Sequence, residues 1–154
     1  MIELAKVRGV YAVLLYYRGP LTVGALGRVH FAGLYLYIGS ALGSAGLKRL
    51  TRHRQVYLGQ RTTRRWHVDY LLGAGSWLGA YWREAGPGAE CDLALSLGRD
   101  LAVVPGFGSS DCRCPGHLFY APGQPEAEDL LRALGLTSYP FLDDAQRCTA
   151  LTSL

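Results

Sequence analysis

The stretch 35–53, Tyr-Leu-Tyr-Ile-Gly-Ser-Ala-Leu-Gly-Ser-Ala-Gly-Leu-Lys-Arg-Leu-Thr-Arg-His, most constrains what this chain can become. It reads as a strand, a small-residue turn and a basic helix. Tyr35, Leu36, Tyr37 and Ile38 suit a pleated sheet, and the Gly and Ser cluster at 39–46 ends the run. The helix that follows carries Lys48, Arg49, Arg52 and His53. Residues four apart share a helix face, so Arg49 and His53 point the same way with Arg52 beside them. Two donors for a phosphate would then stand near a tyrosine-bearing strand.

The rest of the chain supplies neighbours for this unit. Residues 8–17 form an apolar strand that Arg18-Gly19-Pro20 is expected to end as a turn. Residues 22–31, interrupted by Gly24 and Gly27, should be irregular or an edge strand. Antiparallel pairing would bring Tyr11 close to Tyr37 if both side chains fall on one face. Downstream, the pattern predicts a helix over 46–57 with Leu50 inward and Arg49 and Arg52 outward, a basic loop at 60–65, and a short helix at 66–72. A strand at 76–84, a helix at 89–97 stopped by Gly98, short strands at 103–104 and 117–120, and a helix at 125–134 follow. The expected fold is α/β (α+β): a small mixed or antiparallel sheet flanked by helices in one domain over 1–154, with its core at about 8–120.

A chain of 154 residues with 49% hydrophobic content can bury a core without staples. No apolar run approaches the ~20 residues of a membrane span, and Glu3, Lys6 and Arg8 do not lay out a secretion signal. A cytoplasmic protein with reduced thiols is the expectation. The net charge of +4 hides an asymmetry. After Glu3 the next acid is Asp69, and eleven Lys or Arg lie between them, so the first 68 residues carry +10 and the remainder −6. Such a field attracts polyanions, though basic surfaces are also common on proteins that bind none.

Gly9-Val10-Tyr11, Tyr37-Ile38-Gly39, and Arg49 followed by His53 resemble, in order and element type, the motifs of the GIY-YIG nuclease superfamily. The chain is most similar to a compact prokaryotic subgroup found alone or joined to DNA glycosylases. That likeness rests on Tyr37-Ile38-Gly39-Ser40-Ala41, 66–72, Glu90-Cys91, and 107–114 with His117-Leu118, and covers roughly residues 8–120. One departure is the long separation of Tyr11 and Tyr37, read as an inserted strand or long hairpin arm at 21–31. The resemblance implies a metal-dependent DNA endonuclease, with a repair substrate, damaged or branched DNA, and a glycosylase partner as further expectations. It places the metal-binding carboxylate at Glu90, on the helix after the third core strand, with Asp69 as the competitor.

Phosphodiester hydrolysis needs a base for water, a cation for the phosphate oxygens and, in most enzymes, a metal at the leaving oxygen. Tyr11, Tyr37, Arg49, His53 and Glu90 can together supply these roles, and a single carboxylate with waters suits Mg²⁺ or Mn²⁺. A tyrosine titrates near 10, so a tyrosine base needs positive charge close by. Tyr11 is the preferred base, with Tyr37 orienting water or phosphate and His53 bonding or deprotonating the tyrosine. Lys48, Arg52, Arg61, Arg64, Arg65, His67 and Ser110 are the expected DNA contacts. Each type has a plainer use: strand tyrosines pack cores, basic helix faces are solvated, and Trp66 and His67 anchor helices. Cys112-x-Cys114-x-x-His117, joined by Cys91, has donors suited to Zn²⁺, but the spacing is tighter than that of common zinc knuckles, and buried thiols with a loop-fixing His117 are the favoured reading. No phosphate-loop lysine, dinucleotide glycine spacing or Ser-His-Asp pattern is present, so a nucleotide cofactor is not expected. Two other readings remain: a nucleic-acid-binding module without catalysis, and a zinc-stabilised RNA-binding protein.

Overall fold

The computed structural model describes residues 4–109 and 113–141. Its spine is a hairpin of β1 (Gly9–Val23) and β2 (Gly27–Ala41), whose register runs without a slip from Gly9↔Ala41 to Val23↔Gly27. One 3₁₀ turn at Gly24–Leu26 joins them. Its flanks take φ of 47° at Gly24 and 88° at Gly27, which only glycine adopts without steric cost.

The other strands among the described residues are β3 (Ser76–Glu84), β4 (Ala102–Val103), β5 (Leu118–Ala121) and β6 (Thr137–Ser138), giving a six-stranded sheet in the order β4-β5-β2-β1-β3-β6. Every pairing is antiparallel. Among the described residues four helices, α1 (Lys48–Tyr57), α2 (His67–Ala74), α3 (Ala89–Leu97) and α4 (Gln124–Ala133), flank it. The α+β class and the order of elements follow the sequence pattern.

Two local expectations are corrected. Arg18-Gly19-Pro20 does not end the first strand, and 22–31 is not a separate irregular segment, because both belong to the hairpin. Pro20 pairs with His30, beyond Tyr16 where β3 stops pairing with β1. That part of β1 has a neighbour on one side only, so a missing N–H need not break a ladder. The extra chain between Tyr11 and Tyr37 is the outer half of this long hairpin.

The strand period of two sorts β1 and β2 onto two covered faces. Val10, Ala12, Leu14, Leu36 and Ile38 pack with Leu93 and Leu97 of α3 and Leu131 of α4. Tyr11, Val13, Leu15 and Tyr35 pack with Leu50 and Val56 of α1 and Val68 and Leu71 of α2. Covering both faces explains why 10–15 is apolar at every position. Each such Leu or Val stabilises the fold by about 1.5–3 kcal/mol. The chain past 121 joins this core: Ala127 and Leu131 are buried, and the Tyr139 amide donates to Ala80 O at 2.8 Å. Among the described residues no helix is long and apolar enough to cross a membrane.

Candidate active site

The hairpin register decides what stands at the inner end of the sheet. Tyr11 lies opposite Gly39, and a Cβ at residue 39 would fall inside the Tyr11 ring. The glycine is therefore what lets the ring lie flat across β2. Below it, α1 is anchored by Leu47 and Leu50, both fully buried, and the next turn inward brings His53 to the same face. The Tyr11 hydroxyl sits 2.6 Å from His53 Nε2, and both side chains are buried. Tyr37, two residues along β2 from Gly39, places its ring 6.5 Å from that of Tyr11 and 5.9 Å from that of His53. The two tyrosines expected to meet do so.

Arg49, one turn before His53, stays exposed at the rim and donates from Nη1 to Ser40 O at 2.8 Å. Glu90, in the first turn of α3, brings Oε1 to 2.6 Å from His117 Nδ1. Tyr11, Tyr37, Arg49, His53, Glu90 and Trp66 surround a cavity of about 240 Å³ that Cys91 and His117 also line. All five expected catalytic residues share this one space.

Burial sets the charges here. Desolvation holds the His53 pKa down at about 3, so the imidazole is neutral at pH 7. Its Nδ1 is buried and meets no hydrogen-bond partner among the described residues, which adds to the cost of a second proton. Burial also pushes the Tyr11 hydroxyl well above its ordinary value, as does Tyr37 beside it, while the Arg49 guanidinium pulls it back. Tyr37 is raised by burial and then by the Glu90 carboxylate. At neutral pH both tyrosines and His53 are therefore uncharged.

A second, wider cavity of about 410 Å³ adjoins the first through Arg49 and Trp66 and is lined by Lys48, Arg52, Arg61 and Arg65. Trp66 forms the partition. The guanidiniums of Arg52, Arg49 and Arg65 lie 4.1, 4.9 and 5.2 Å from its ring, within cation–π range.

Asp69 serves this partition. It is fully buried and accepts from Arg52 Nη1 at 3.0 Å and Nη2 at 3.1 Å, and from the Arg65 and Trp66 amides at 2.7 and 3.0 Å. Burial alone would raise its pKa, but the Arg52 hydrogen bonds and then the two amides outweigh that and hold the carboxyl below its usual range. Its oxygens fix the start of α2 and the Arg52 side chain. Glu90, not Asp69, is the carboxylate that lines the cavity.

A family model described as "Domain of unknown function DUF123" matches residues 10–137. The chain belongs to that family. Neither the curated proteins nor the solved structures give a match. The matched span opens just before Tyr11, includes every residue of both cavities, and reaches β6.

The remaining candidates of this DUF123 chain divide clearly. Lys48, Arg61 and Arg65 line the basic cavity, whereas Arg64, equally exposed, does not line it and donates to Thr62 O at 3.2 Å with its guanidinium against Gly73. His67 is a loop anchor: its Nδ1 accepts the Gly108 amide at 2.9 Å. Ser110 and Cys112 lie outside the described residues. Cys91, Cys114 and His117 come together, their ligand atoms all within 4.8 Å of one another. Trp66 was legible as a residue following three arginines, but its place between two cavities was not. The Glu90–His117 contact joins residues from α3 and a loop, and no local pattern announces it.

Proposed function

We propose that this chain is a metal-dependent DNA endonuclease of the GIY-YIG type. The observation that carries the reading is the buried 2.6 Å contact between the Tyr11 hydroxyl and His53 Nε2 in a cavity rimmed by Arg49 and Glu90. A core tyrosine needs no histidine, cation and carboxylate gathered around its hydroxyl. A phosphodiester hydrolase has a use for each: a base for water, a cation for the phosphate and a carboxylate for a metal.

The chain's own groups divide the work as follows. With its proton on Nδ1, neutral His53 offers the Nε2 lone pair to the Tyr11 hydroxyl, whose oxygen can accept from water; because the resting site disfavours a second proton on His53, transfer along this line awaits the negative charge of a bound phosphate, which favours the imidazolium. The Arg49 guanidinium, within reach of Tyr11, favours the developing phenolate and would take charge on a phosphate oxygen. Tyr37 donates its hydroxyl proton to water or phosphate, a role its raised pKa suits. Glu90 fits a hard divalent ion: it lines the cavity, keeps 24% of its side chain exposed, and touches His117 through Oε1, leaving Oε2. Mg²⁺ held there would supply Lewis-acid stabilisation of the phosphate and leaving oxygens.

The basic cavity beyond Trp66 supports DNA as the substrate, because it continues the line of cations away from the reacting centre. It also favours a second reading, a binding module without catalysis, since that face would hold a phosphate backbone unaided.

Cleavage of labelled duplex, single-stranded, abasic, flap and four-way-junction DNA in Mg²⁺ separates the two. Wild type should cut at least one of these, while Arg49→Ala and Glu90→Gln, folded and able to bind, should lose about 10²-fold or more in rate. Salt-sensitive binding with no cleavage in Mg²⁺ or Mn²⁺ would overturn the nuclease reading.

A further inference from the structure

Beside the carboxylate that faces the catalytic cavity, the chain gathers three donors of a different chemical character. Cys91 lies on α3, and Cys114 and His117 lie in the chain between β4 and β5. Cys91 Sγ, Cys114 Sγ and a ring nitrogen of His117 all lie within 4.8 Å of one another. A tetrahedral zinc with Zn–S near 2.3 Å and Zn–N near 2.0 Å needs ligand atoms about 3.4–3.8 Å apart, so a shift of about 1 Å closes the set. Thiolate and imidazole donors select a borderline-soft ion and not the hard Mg²⁺ that an isolated carboxylate suits.

The surroundings fit such an ion. Glu90 touches His117 Nδ1 at 2.6 Å yet stands outside the three-donor cluster. A carboxylate beside the imidazole is the outer arrangement that metal-bound histidines adopt. The described parts of this loop, 104–109 and 113–117, hold no helix or strand. Its described ends are held by the Gly106 amide on Pro115 O and the His117 amide on Phe107 O, both at 2.7 Å. A small loop packed against a helix is what a bound metal staples.

We infer that Cys91, Cys114 and His117 form a zinc site, its fourth position open to water, that ties α3 to the β4–β5 loop and, through His117, positions Glu90. Cys112 lies outside the described residues and is not part of the assignment. The site is independent of the nuclease reading, and its test does not read cleavage.

The full chain, expressed without a polyhistidine tag and purified without chelator, is analysed for metal by plasma mass spectrometry. About one zinc per chain is expected, falling severalfold or more in Cys91→Ser and Cys114→Ser. Because either variant can fail to fold, wild-type protein is also loaded with Co²⁺. Thiolate-to-cobalt charge-transfer absorption together with tetrahedral d–d bands supports the site. Glu90→Gln keeps the three ligands and should weaken zinc about 10–100-fold. Absence of both zinc and the cobalt charge-transfer band, or zinc retained at wild-type affinity in a folded Cys91→Ser or Cys114→Ser variant, would overturn the site. Unchanged zinc affinity in Glu90→Gln would overturn the link to Glu90.

Discussion

Replacing His53 by glutamine turns the electrostatics of the site into a measurable slope. The folded protein keeps His53 neutral down to a pKa of about 3, whereas the unfolded chain protonates it near 6.5. Below pH 6.5 the unfolded state therefore binds a proton that the folded state refuses. Stability from this residue is fully present above pH 6.5 and falls by about 1.4 kcal/mol per pH unit on the way to pH 3. Two units, from 6.5 to 4.5, cost wild type about 3 kcal/mol. Asp69 does not confuse the window, because its carboxyl is held below the usual range and its contribution fades only below about pH 4. His30, His67 and His117 are common to both proteins and cancel in the difference. Urea unfolding followed by tryptophan fluorescence at half-unit steps from pH 7 to 4.5 gives both curves. The wild-type minus His53→Gln stability should slope downward with acid across that range. Parallel curves would mean that His53 takes its proton in the folded state, and the account of a neutral histidine accepting from Tyr11 would be wrong.

Other parts of the structure make separate commitments. Gly39→Ala puts a methyl group into the Tyr11 ring, so thermal melting should show a loss of about 1–3 kcal/mol, and any cleavage activity should fall with it. Asp69→Ala strips the partner from a largely buried Arg52 and frees the amides at the start of α2; chemical denaturation should register a loss of about 3 kcal/mol, and a loss under 1 would contradict the ion pair's role. Removing Lys48, Arg61 and Arg65 one at a time should lower the slope of log binding constant against log salt by up to about 0.9 per phosphate contact, while Arg64→Ala, whose side chain does not line the basic cavity, should barely change it.

What could be read from the residues alone was what short periods govern. Alternation along a strand puts Tyr35 and Tyr37 on one face, and spacings of three and four set Leu50 inward, but the same spacing grouped His53 with the outward Arg49 and did not announce its burial. The helices at 89–97 and 124–133 announced themselves through Pro, Gly and acidic first turns. Pro20 misled because a proline looks like a stop unless one knows that the strand beyond Tyr16 has lost its β3 neighbour. Arg52 lines the basic cavity, but its pairing with Asp69, 17 residues away on another helix, was not legible. Such pairings are decided by how α1 and α2 cross, which no local pattern records. His67 is a similar case, its acceptor role being fixed by an amide 41 residues along the chain.

The unslipped register of the hairpin makes it a ruler with the cavity at one end. From Tyr11 to the turn after Val23 is twelve residues of β1, about 40 Å of extended chain. A slide of one position would set Tyr11 against Ile38 or Ser40, where a side chain already stands, and would turn Tyr37 away from His53. The two glycines at the far tip therefore hold the spacing of two rings they never approach. A lesion there would read in any assay as the loss of the site itself.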